Sequence, residues 1–141
     1  MIYLTRRAEF SAAHILYNPE LSSAENERLF GKCSNPKGHG HNYVLEVTVR
    51  GKMDRETGFF INVETLKQII DREVIDLLDH KNISLEIDFF EENVATCENI
   101  AKWAWNRLKD KIAGCTLYRV KLYETPNNYV EYFGDENEGL S

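Results

Sequence analysis

His39-Gly40-His41 sets two imidazoles two residues apart. In an extended strand, residues i and i+2 point to the same face, so both rings can reach one metal ion. Gly40 between them leaves the backbone uncrowded. His14 ends an earlier apolar strand, and pairing of the two strands would bring in a third ring nitrogen. Three neutral imidazoles with an open fourth position are the ligand set of a catalytic zinc, which then takes water or substrate. Nitrogen ligands favour zinc over calcium or magnesium. An isolated HxH is more often a pair of hydrogen-bonded strand histidines. Here two of the four histidines fall in one HxH and a third ends a neighbouring strand, which moves the reading toward a metal.

The elements that must position these rings follow from periodicity. Ile2 to His14 reads as a strand with Phe10, Ala12 and His14 on one face. Tyr17 to Gly38 holds two of the three prolines and reads as a long excursion, a length that usually marks function. His39 to Arg50 alternates as a second strand, with Tyr43, Leu45, Val47 and Val49 on the face of His39 and His41. GKMDRETG reads as a hairpin loop and FFIN as a short strand. Asn62 can cap a helix to about Leu78, with Val63, Leu66, Ile70, Val74 and Leu77 as its apolar stripe. A second helix is expected between Thr96 and Gly114, with Ile100, Trp103, Leu108 and Ile112 inward. CTLYRVKLYE reads as a strand with Thr116, Tyr118, Val120, Leu122 and Glu124 on one face. Pro126-Asn127-Asn128 makes a turn, and YVEYF returns as the last strand. This order favours an α+β sheet with its helices on one face.

Two further features bear on chemistry. Asp79 and His80 are adjacent and so cannot stack on one helix face, which places them where the first helix ends. A carboxylate beside an imidazole fixes its tautomer and raises its basicity. Glu124 ends an apolar strand face, so it is either at the rim of the sheet or paired with a ligand.

The bulk numbers set limits. The 141 residues suit one domain, 1–141, and 43% hydrophobic with 28% charged content is that of a folded globular protein. Three cysteines without CxxC spacing argue against a disulfide framework, and Cys97 and Cys115 are expected to be small, inert, mostly buried side chains. A net charge of −6 argues against broad nucleic-acid binding. No apolar run approaches the ~20 residues of a membrane helix, and the N-terminus is a poor signal peptide, so a cytoplasmic location is expected.

The segments FSAAH (10–14), LFGKCSNPKGHGHNY (29–43), LDHKN (78–82), TCEN (96–99) and YET (123–125) together resemble the 6-pyruvoyl-tetrahydropterin synthase family, over roughly Glu9 to Gly134. Five residues separate Cys33 from His39, as in that family. The related 6-carboxy-tetrahydropterin synthases of the queuosine pathway usually have a shorter interval, and they form the alternative reading. A non-catalytic, zinc-stabilised pterin-binding protein is a third.

The resemblance implies the tunnelling fold (T-fold): a four-stranded antiparallel sheet with two helices on one face, three sheets pooled into a barrel, and two trimers stacked into a homohexamer. Active sites then lie between subunits. It implies elimination of triphosphate from 7,8-dihydroneopterin triphosphate on the route to tetrahydrobiopterin. His14, His39 and His41 hold Zn2+, and Mg2+ accompanies the substrate triphosphate. By the same resemblance Cys33 is the base, as a thiolate, within a proton-relay triad with Asp79 and His80, the latter two supplied by a neighbouring subunit. Glu124 anchors the pterin, and the backbone of Thr96 and Cys97 lines its ring. Glu98 is assigned to the first turn of the second helix. Among Arg6, Arg7, Arg28, Lys32 and Lys37, Lys37 is the first choice for the triphosphate, because the Cys33–His39 loop must face the substrate.

Overall fold

The computed structural model describes residues 1–135; the last six residues of the expected 1–141 domain lie outside the described residues. Strands β1 (Ile2–His14) and β2 (His39–Gly51) pair antiparallel along their full length, from Ile2↔Gly51 to His14↔His39. β3 (Thr116–Thr125) pairs with β2, and β4 (Asn128–Tyr132) pairs with β3, giving one antiparallel sheet in the order β1-β2-β3-β4. The excursion between β1 and β2 is not all loop: it contains α1 (Ser23–Phe30) and a 3-10 turn (Gly31–Ser34). A capping box explains α1, with the Ser22 hydroxyl accepting from Glu25 N and the Glu25 carboxylate reaching back to the Ser22 backbone.

α2 (Val63–Ile70) starts at Asn62, whose Oδ1 accepts from Glu64 N and Thr65 N. It runs into a π-helical turn (Asp71–Ile75) and a last helical turn (Asp76–Leu78). α3 (Cys97–Leu108) starts at Thr96, whose hydroxyl accepts from Asn99 N. Both helices cover one face of the sheet. The core between them holds Leu45, Val47 and Val49 from β2, Leu66, Ile70 and Val74 from the first helical stretch, and Ile100, Ala104 and Leu108 from α3. No helix among the described residues is long and apolar enough to cross a membrane.

Three local expectations change. Leu78, not Leu77, is the fully buried residue at the end of the first helical stretch, and Val63 is exposed. The π turn is the cause, because its wider winding keeps Leu66, Ile70, Val74 and Leu78 aligned at intervals of four. FFIN is not a strand. β2 is central, so both of its edges are already paired, and residues 54–59 close on themselves through the Asp54 carboxylate and backbone. In β3, Leu117 faces the core while Thr116 is exposed and Tyr118 half-buried. The register explains this: Thr48↔Arg119 is followed by Val49↔Leu117, so Tyr118 is the extra residue of a β-bulge and the alternation shifts by one.

Candidate metal centre and substrate cleft

The β1–β2 register determines the metal-ligand geometry. His14 lies directly opposite His39, and Ala12 opposite His41, so the three rings share the helix-covered face at one end of the strand pair. One nitrogen from each lies within 4.8 Å of the other two. His14 is fully buried, and its Nδ1 is 2.7 Å from the Ala95 carbonyl oxygen. A carbonyl only accepts, so Nδ1 carries the proton and Nε2 presents a lone pair. That Nε2 sits 3.0 Å from His39 Nε2. Nε2 of His41 is buried with no hydrogen-bond partner among the described residues, and Glu124 Oε1 lies 3.7 Å from it.

Burial holds His14 below the usual imidazole range, with neighbouring His39 adding to the effect, and burial also lowers His41 against the opposing pull of Glu124. Two neutral rings, a facing pair of nitrogens and an orphaned Nε2 are what a divalent nitrogen-preferring cation requires, so the residues fit zinc.

Beside the histidines is a cleft of about 270 Å3 lined by Leu16, Thr96, Cys97, Glu98, Glu124 and Tyr129, among others. Three of the expected substrate-binding residues, Glu124, Thr96 and Cys97, thus share one wall. The Thr96 hydroxyl is engaged in capping α3, and its backbone N–H donates to the Val94 carbonyl at 2.8 Å. The Cys97 thiol donates to the Leu122 carbonyl at 3.4 Å, and burial and the nearby Glu124 push it up to about 12, so it is an inert thiol as expected. Cys115 is only half-buried. Glu98 is in the first turn of α3 and also lines the cleft.

Cys33 is half-buried in the 3-10 turn. Its carbonyl accepts from Leu16 N at 2.8 Å, which ties the turn to a residue of the cleft wall. Lys37 is exposed on the same loop, with its backbone N–H held by Asn35 Oδ1. Gly38 then passes close to the His14 carbonyl at φ +74, where an added Cβ would come within 3.0 Å of that oxygen.

Asp79 and His80 follow the first helical stretch, as their spacing predicts. They are fastened to the outer edge of β1: Asp79 Oδ1 accepts from Ser11 N at 2.9 Å, and His80 N donates to Ser11 O at 2.6 Å. The Ser11 N–H, aided by His80, holds the Asp79 carboxyl below its usual range. His80 Nδ1 is 3.0 Å from Asp79 Oδ2, and the ring is 83% exposed. His80 has φ 61, the one left-handed non-glycine residue among those described. Among the described residues, neither partner bonds to Cys33 or to the three clustered histidines. The His80 ring faces outward from the protein.

Two contributors have little or no signal in the sequence. The Ala95 carbonyl that orients His14 is backbone, and no residue type advertises it. Tyr43 reads as one more apolar strand residue, yet its buried hydroxyl has no partner among the described residues, and its ring stands edge-on to His41 and His14.

The sheet, the two helices on one face and the three converged imidazoles define a T-fold protein with a candidate tri-histidine metal centre. The family model described as 6-pyruvoyl tetrahydropterin synthase matches residues 3–135, and the protein belongs to this family of lyases. It is 47% identical to the 6-pyruvoyl tetrahydrobiopterin synthase of Pongo abelii over 94% of its own length and 91% of that protein. Identity to the Drosophila melanogaster protein of the same name is 45%, over 94% and 79%. The solved structure of Caenorhabditis elegans 6-pyruvoyl tetrahydropterin synthase matches with a TM-score of 0.91 at 40% identity, over 95% of the present sequence and 96% of that one.

Proposed function

We propose that the protein is a zinc-dependent lyase that eliminates triphosphate from 7,8-dihydroneopterin triphosphate, with internal hydrogen rearrangement, to give 6-pyruvoyl-tetrahydropterin on the route to tetrahydrobiopterin. The observation that supports it best is the convergence of His14, His39 and His41 within 4.8 Å, with Glu124 at 3.7 Å from the third ring and on the wall of a cleft. When bound, zinc supplies Lewis-acid chemistry that acidifies the C–H and O–H groups of the substrate's three-carbon tail.

The protein's own residues do the rest. The Glu124 carboxylate offers two parallel acceptors to the 2-amino group and a ring N–H of the pterin. The backbone at Thr96 and Cys97 frames the ring. Cys33, as a thiolate, takes protons from the carbons of the substrate tail, and the Asp79–His80 pair of a neighbouring copy passes them on. Lys37 would meet the triphosphate, and Mg2+ accompanying the phosphates would neutralise part of their charge. The working form is one domain per subunit in a homohexamer of two trimers, in the cytoplasm, without nucleic-acid or membrane partners. Pooling sheets into a barrel removes the open edges of β1 and β4, a physical reason to assemble.

The test is incubation of zinc-loaded protein with dihydroneopterin triphosphate and magnesium, followed by mass spectrometry. Triphosphate release with the three-carbon tail retained is expected. Release of acetaldehyde would assign the carboxy reaction instead, and no triphosphate release would sink both enzyme readings. The five-residue interval from Cys33 to His39 favours the pyruvoyl product.

A further inference from the structure

Tyr43 is fully buried, and its hydroxyl has no hydrogen-bond partner among the described residues. An orphaned buried O–H is destabilising and rare, and a phenylalanine would fill the same space without it. The packing does not ask for a hydroxyl: Phe10 lies stacked on the ring at 4.9 Å and 10°.

The strand register shows where the hydroxyl has work to do. β2 and β3 pair Val44 with Tyr123, so one step further along the same register sets Tyr43 opposite Glu124, both on the helix-covered face. The Tyr43 ring also stands 5.6 Å from that of His41, whose Nε2 approaches Glu124 at 3.7 Å. Once His41 gives that nitrogen to a metal, it cannot donate to Glu124. The Cys97 thiol on the same wall is already engaged with the Leu122 carbonyl. A phenol is protonated at neutral pH, so the Tyr43 hydroxyl is a donor.

We propose that Tyr43 is a positioning residue for the pterin anchor: its hydroxyl donates to the Glu124 carboxylate, directly or through one buried water, and fixes that carboxylate toward the cleft. This rests on the reading of Glu124 as the anchor. Tyr43 touches no reacting atom; it sets the aim of the group that does.

The test measures neopterin binding, by fluorescence, to the zinc-loaded and metal-free full-length protein as wild type, Tyr43→Phe, Glu124→Gln and the double variant. Loss of a hydrogen bond to a charged group predicts about tenfold weaker binding for Tyr43→Phe, with zinc content unchanged. The double variant is expected to bind no more weakly than Glu124→Gln alone, because the tyrosine acts through the glutamate. Wild-type binding by Tyr43→Phe beside weak binding by Glu124→Gln overturns the Tyr43 role and leaves the anchor standing. Additive losses, or zinc loss in Tyr43→Phe, overturn it equally. Wild-type binding by Glu124→Gln removes the anchor, and the Tyr43 role with it.

Discussion

Replacing His14 and replacing His39 by alanine are expected to have different consequences, although both are assigned to one metal. His14 is fully buried and bonded to the Ala95 carbonyl at 2.7 Å. His14→Ala leaves that buried carbonyl without its donor, at about 1–3 kcal/mol. It also opens a cavity the size of an imidazole in a packed wall. Together these come to about 3–5 kcal/mol in the metal-free protein. At ~3 °C per kcal/mol for a protein of this size, the melting midpoint falls by roughly 10–15 °C. His39 is half-buried, and among the described residues the only bond its ring makes is the 3.0 Å approach to His14. His39→Ala is expected to change metal-free stability by less than about 1 kcal/mol. Both variants should fail to retain zinc, having two ring ligands in place of three. The assay is thermal unfolding by circular dichroism in chelator, paired with zinc content after reconstitution and desalting. A His39→Ala protein as unstable as His14→Ala without metal, or either variant with wild-type zinc content, would refute this account of the site.

Metal-free protein is expected to lose stability as pH falls below 6.5. Burial lowers His14 and His41 from 6.5 in the folded state, so the unfolded state binds more protons from there down to the folded values, and stability rises with pH through that window. Urea midpoints measured from about pH 5 to 8 check this, and a flat profile contradicts it. Cys33→Ala should lower triphosphate release at least ~100-fold, the scale of a general base, while zinc content stays at the wild-type level. Loss of zinc in that variant would make Cys33 a ligand instead. Asn62→Ala removes the acceptor for Glu64 N and Thr65 N and should cost about 1 kcal/mol, read as a shifted urea midpoint without loss of zinc.

Strand alternation made most of the metal centre legible. His14, Phe10 and Tyr43 are placed by period two alone, and the full antiparallel register of β1 and β2 brings the three rings together as that pattern requires. The misses have separate physical causes. α1 is signalled by Ser22 and Glu25, but its surface is polar and it has no apolar stripe; Asn26 is its only buried residue. The slip at Tyr118 comes from a bulge, which depends on the partner strand and not on β3 itself. FFIN has strand-like residues, but no free edge of the central strand is left to pair with it. The Ala95 carbonyl and the orphaned Tyr43 hydroxyl exist only as tertiary facts. The position of the Asp79–His80 pair at a helix end is legible, but its attachment to Ser11 joins residues 68 apart in sequence, beyond the reach of local pattern.

The π turn at Asp71–Ile75 acts as a phase adjustment. A helix advances about 100° per residue, and a π turn absorbs roughly one residue more than an α turn. Every side chain after it is therefore rotated by about 100° from where an uninterrupted helix would put it. Two of those residues must arrive in consecutive order: Leu78 into the core and Asp79 onto the Ser11 amide. Deleting one residue from the turn would leave a more regular helix and a mistimed one. Leu78 would turn out of the core, and the Asp–His pair would leave its strand. The least ideal stretch of backbone in the helix is thus what sets the angle at which the protein presents His80 to whatever lies beyond its own edge.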